Sequence, residues 1–67
     1  MPSAVIRRFS YDEQSRTLFV TFVSGDLYAY LDVPPELHGE FRAAVSKGRF
    51  FARRIRDRFR YVRMGSG

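Results

Sequence analysis

The chain has no cysteine, no tryptophan and a single histidine, His38. Without cysteine there is no disulfide framework, no thiol nucleophile and no soft thiolate ligand for a metal. One histidine does not make a zinc site, so no metal and no cofactor are expected. Nucleophilic catalysis is equally short of material. No serine stands in the strand-to-helix elbow that exposes a reactive hydroxyl, and Glu36 and Glu40 beside His38 read as ordinary surface carboxylates. The expectation is that the chain is not an enzyme. Long apolar runs are missing too: nothing approaches the roughly 20 residues a membrane span needs. Met1 to Arg8 lacks the apolar stretch of a secretory leader. A cytoplasmic setting with no membrane partner is expected.

Two things are abundant. Seven Phe and four Tyr among 67 residues supply large apolar area to a chain that has room for one domain. Positive charge is the other, and it is unevenly spread. Residues 1–41 hold three arginines against six carboxylates, a net −3; residues 42–67 hold nine Lys or Arg against Asp57 alone, a net +8. Eight of those nine cations are arginine, whose planar fork matches phosphate and whose face stacks on bases. Such asymmetry concentrates positive potential on one part of a small body and attracts polyanions.

The periodicity changes halfway. Residues 4–11 and 17–23 are rich in β-branched and aromatic types, separated by the polar Asp12-Glu13-Gln14-Ser15-Arg16, and residues 26–32 follow the Ser24-Gly25 turn. These predict a three-stranded antiparallel meander ended by Val33-Pro34-Pro35, since proline lacks the ladder donor. Pro35 suits a first helical turn. From there Leu37, Phe41, Ala44 and Val45 mark one apolar face of a helix over 35–45, shortened by Gly39. Ser46 can cap a second helix from Lys47 to about Arg58, with Phe50, Phe51 and Ile55 on its apolar edge. Phe59 and Tyr61, two apart, fit a short extended segment against the sheet. The predicted fold is α+β: a meander packed on one face by two short C-terminal helices, with Phe41, Phe51 and Ile55 among the most buried residues.

Loop parity decides where Tyr28 and Tyr30 point. A two-residue Ser24-Gly25 turn pairs Phe22 with Leu27 and puts both tyrosines on the face away from Leu18, Val20 and Phe22. A three-residue loop with Gly25 at positive φ sets Tyr28 opposite Val20 and Tyr30 opposite Leu18, in the core. In the first case the tyrosines are a stacking platform for bases; in the second they are packing. Ser46-Lys47-Gly48 has two readings as well: a phosphate held at a helix N-terminus, or a capping serine with a glycine that lets the helix start pack closely.

Tyr28-Ala29-Tyr30, the Val33-Pro34 that follows, and Ser46-Lys47-Gly48-Arg49-Phe50-Phe51 leading to Ile55-Arg56 together resemble the KTSC domain. That module is named for its occurrence at the C-terminus of some lysyl-tRNA synthetases, and it also exists as free-standing bacterial proteins. The resemblance runs from about Ser3 to Val62, which sets a domain at 3–63 and a disordered tail at 64–67. Ala52 departs from the pattern, where a polar residue, often Asn, follows the paired aromatics, so no hydrogen-bonding role is carried over to it. In the family the residue between the tyrosines is often polar, which implies that the tyrosines face inward. The resemblance also implies an RNA-binding accessory module.

Charge and resemblance converge on one expectation. Lys47, Arg49, Arg53, Arg54, Arg56 and Arg58 form cationic rows on the second helix and contact the phosphates of RNA or another polyanion. Tyr28, Tyr30 and Phe50 are the stacking candidates where exposed. The rival expectation is a protein-interaction module that turns the same surface to an acidic partner or an adjacent domain.

Overall fold

The computed structural model describes residues 6–65. Alternating residues build strands β1 (Ile6–Asp12), β2 (Thr17–Phe22) and β3 (Leu27–Tyr30); α1 (Pro35–Ala43) and α2 (Lys47–Arg54) follow, and β4 (Tyr61–Gly65) closes the chain. The sheet is antiparallel in the order β1-β2-β3-β4. Among the described residues no helix is long and apolar enough to cross a membrane.

Polar side chains shape the first turn. The Asp12 carboxylate accepts from the Gln14 amide at 3.2 Å and the Ser15 hydroxyl at 2.8 Å. Arg16 takes the left-handed φ of 54° that brings Thr17 opposite Asp12. The second turn settles the parity question. Gly25 has φ 98°, its amide donates to the Phe22 carbonyl at 2.8 Å, and Phe22 N–H donates to the Asp26 carbonyl at 2.9 Å. The loop is therefore the three-residue one, with Leu18 opposite Tyr30 and Val20 opposite Tyr28. Both tyrosines face the helices.

That face carries Leu18, Val20 and Tyr30, with Phe9, Tyr11, Phe22 and Tyr28 packed around them. The helices answer with Leu37, Phe41 and Phe51, joined by Ile55 just after α2, and Phe41, Phe51 and Ile55 are fully buried as expected. Phe41 meets Phe9 at 4.2 Å between ring centroids; Phe51 meets Phe22 and Tyr30 edge-on at 5.4 and 5.2 Å. The Tyr11 hydroxyl donates to the Val33 carbonyl and ties the first strand to the segment that enters α1.

Four expectations are corrected. The sheet has four strands, not three: the extended segment at Tyr61 is a full strand against β3, because an unpaired β3 edge would leave a row of backbone donors and acceptors without partners. It continues through Met64 and Gly65, which the sequence assigned to a tail; Ser66 and Gly67, like Ala4 and Val5 of the first predicted strand, lie outside the described residues. Helix α1 stops at Ala43, since Ala44 turns extended (ψ 137°) to deliver Ser46 as the cap of α2. Val45 is then fully exposed instead of on an apolar helix face. Helix α2 stops at Arg54, not Arg58. Ile55 leaves helical geometry (φ −122°, ψ −51°), and the Phe51 carbonyl takes both the Ile55 and the Arg56 amides. The chain must turn there so that the Arg60 carbonyl can reach Leu31 N–H at 2.8 Å and start β4 beside β3.

Candidate nucleic-acid interface

The α2 surface begins with its cap. The Ser46 hydroxyl accepts from Arg49 N–H at 3.3 Å, and with Ser46 extended this is the side-chain cap that satisfies a free helical donor. Lys47 is engaged within the domain. Its ammonium donates to the carbonyls of Arg42 at 2.9 Å and Ala44 at 2.6 Å, so it binds the unsatisfied C-terminal carbonyls of α1. Ser46 and Lys47 thus join the two helices, with Ser46 as the cap of α2.

The six expected cations separate into groups. Arg49 and Arg53, one helical turn apart, are exposed on the outer side of α2 and have no ion pair among the described residues. Arg54 pairs with Glu40 of α1 at 3.2 Å and lies 5.3 Å over the Phe50 ring. Arg56 and Arg58 fall in the turn after the helix rather than on its stripe. Arg56 approaches Asp57 at 3.8 Å, while Arg58 is exposed beside a shallow depression lined by Pro34, Leu37, Glu40, Arg54 and Phe59. The continuous cationic helix face expected over 47–58 is therefore reduced to Arg49 and Arg53, with Arg58 beyond the helix end.

The stacking candidates fare differently. Tyr30 is 2% exposed and unavailable. Burial, and after it the neighbouring Tyr28 and Tyr61, push its hydroxyl pKa up to about 12. Phe50 is committed to Phe41, stacked at 5.6 Å, and to Arg54. Tyr28 is half-buried.

Sequence reasoning passed over Tyr61. In register with Tyr30, it sets its ring 5.3 Å from Tyr28 and 5.6 Å from Tyr30 and stays 55% exposed. Its alternation with Phe59 signalled extended chain, but no local signal named β3 as its neighbour. On the opposite, helix-free face of the sheet, Phe19 lies in a groove with Arg8, Ser10, Thr21 and Leu27.

His38 packs against two aromatic rings of β1. It stacks on Tyr11 at 4.3 Å and 16° and meets Phe9 edge-on. Burial, and secondarily the Arg42 charge, hold its pKa below the usual value, with Glu13 opposing. Among the described residues no three His, Cys, Asp or Glu gather as a metal site would require.

Known proteins bear on this arrangement. The lysine–tRNA ligase of Nostoc punctiforme is 36% identical over 61 residues, 91% of this chain but only 11% of the ligase; the lysine–tRNA ligase of Trichormus variabilis is 34% identical over 59 residues, 10% of its length. The chain thus spans about a tenth of these curated relatives. A protein of Tsukamurella paurometabola is instead similar end to end, 38% identical over 90% of both chains. The crystal structure of a KTSC domain protein from Yersinia pestis matches with a TM-score of 0.88 and 38% identity, over 97% of this chain and 92% of that one. The KTSC domain family model covers residues 2–59, from the first strand through the turn after α2, and with the same meander and helix pair in a solved member, this chain belongs to the KTSC domain family.

Proposed function

We propose that the chain is a non-catalytic accessory module that binds RNA through phosphate contacts from Arg49, Arg53 and Arg58. The observation that carries this reading is the pair Arg49 and Arg53, exposed on one side of α2 with no carboxylate partner among the described residues, in the segment 42–67 with net charge +8. Isolated exposed cations retain their full field for an incoming polyanion, whereas Arg54 and Lys47 spend theirs on Glu40 and on helix carbonyls. Similarity to a segment of ligases whose name includes tRNA supports RNA over other polyanions.

With about three phosphate contacts to a single strand, log K against log salt has a slope near −2. In a gel-shift or anisotropy titration, Arg49→Glu with Arg53→Glu is expected to weaken binding to every RNA tested and to flatten that slope. Phosphate contacts position a ligand without reading its sequence. The fold should persist, since exposed substitutions shift stability by about 0.5 kcal/mol or less. A folded double variant with the parent's affinity and slope would remove these arginines from the site.

A second reading, docking on an acidic protein or a neighbouring domain, is favoured by the small share of the ligases that this chain matches. It predicts negligible RNA affinity at physiological salt and loss of a defined partner on the same charge reversal.

A further inference from the structure

The tyrosines of β3 do not form an open platform, yet the strand beside them does something that neither end of the helical segment explains. Tyr61 is in register with Tyr30 and Arg63 with Tyr28, so Tyr61 and Arg63 stand on the helix-bearing side of the sheet. Helix α2 covers that side only as far as Phe51, which sits on Phe22 and Tyr30, and it ends at Arg54. One strand further out, Tyr61 keeps more than half of its surface exposed. The flank of α2 opposite Phe50 carries only Gly48 and Ala52, so the helix adds no bulky side chain there.

The three rings make a step. Tyr30 is its buried root, Tyr28 its half-buried middle and Tyr61 its open tread, with centroids 5.3 to 6.3 Å apart. Because Tyr61 already leans on two rings, it loses little side-chain freedom when a flat ligand settles on it. The charges beside the step are paired: Arg63 is held at Asp26, 3.1 Å away, and Arg56 lies 3.8 Å from Asp57. What the step offers is therefore a flat aromatic surface, and a flat, polarisable group such as an unpaired nucleobase fits it.

We infer that Tyr61, braced by Tyr28, is the stacking residue of this domain and takes an unpaired base of single-stranded RNA whose phosphates run along Arg49 and Arg53. The inference rests on the RNA-binding reading above and makes it more specific. Bases of a duplex are stacked on one another and cannot reach Tyr61, so single strands bind better than duplexes.

The test uses a fluorescein-labelled oligouridine of about a dozen nucleotides, within the site sizes usual for single-strand binders. Tyr61→Ala is expected to bind about tenfold more weakly, and Tyr61→Phe, which keeps the ring, to stay within about twofold of the parent. Tyr61→Ala should leave the salt slope unchanged, because stacking releases no counterions, whereas the Arg49 and Arg53 reversal flattens it. Ultraviolet crosslinking of the parent to the same RNA should give adducts on Tyr61 or Tyr28, which holds the proposal open to refutation even where a variant folds poorly. Parental affinity in Tyr61→Ala, equal losses in Tyr61→Ala and Tyr61→Phe, or adducts confined to Phe19 on the opposite face would each overturn the stacking role while leaving RNA binding in place. A parent that binds neither oligouridine nor duplex RNA would overturn the RNA reading itself.

Discussion

Tyr30 couples burial to titration. Its pKa rises from 10.0 to about 12 because the folded chain withholds water from the phenolate, with Tyr28 and Tyr61 adding to the effect. The unfolded chain releases this proton near pH 10.0 and the folded chain only near 12, so between those values the native state binds more protons. Stability is therefore complete below pH 10.0 and declines as pH rises through the window up to about 12. Denaturation midpoints across that range should fall for the parent and fall less steeply for Tyr30→Phe; an unchanged decline would assign the effect to other groups. Tyr30→Ala is expected to cost about 3 kcal/mol or more, as aromatic truncations in cores do. The inward direction of Tyr30 was legible as one of two parities, and Gly25 at φ 98° selects it. The exposure of Tyr61 was not legible, since its neighbours Tyr28 and Tyr30 lie some thirty positions earlier in the sequence.

Among the elements, α1 carries an avoidable weakness. Gly39 sits in its middle, exposed, and a Cβ built there meets nothing within 4 Å. Gly39→Ala should raise stability by about 1 kcal/mol, because alanine restricts the unfolded chain without straining the helix; a thermal melt that moves down would reveal a need for glycine that the local geometry does not show. The start of α1 was readable from Pro34-Pro35 and Glu36, and the start of α2 from Ser46. Their ends were not. Arg54-Ile55-Arg56-Asp57-Arg58 contains no residue that forbids a helix, and what stops α2 is tertiary: Ile55 goes fully into the core and the chain must return to the β3 edge. For the same reason the cationic rows drawn on an ideal helix dissolve. Arg54 finds Glu40 and Lys47 finds the carbonyls of α1, contacts that depend on how two helices meet.

For the whole molecule, the division at Pro34 into a strand half and a helix half, the inner face of the sheet and the aromatic core all followed from periodicity. The fourth strand required knowing that β3 would otherwise be an open edge. Its contribution is testable by ending the chain after Arg60. That truncation removes the ladder along β3 and the ring that leans on Tyr28 and Tyr30, so a large drop in melting temperature is expected. A truncated domain that melts with the parent would make β4 an ornament of the sheet rather than part of its stability.

Adding β4 at the far side of the sheet also determines how this domain can be wired into other polypeptides. Ile6 enters opposite Phe22 and Gly65 leaves opposite Leu27, so the way in and the way out lie at the same rim, the one capped by the Ser24-Gly25 turn. Across four strands they are separated by about 14 Å, three interstrand spacings. A unit with both leads on one side can be spliced onto or between host segments like a plug-in cartridge. Its far rim, with the Asp12–Thr17 turn, then points away from the host, and Tyr61, at the start of β4, lies toward that rim.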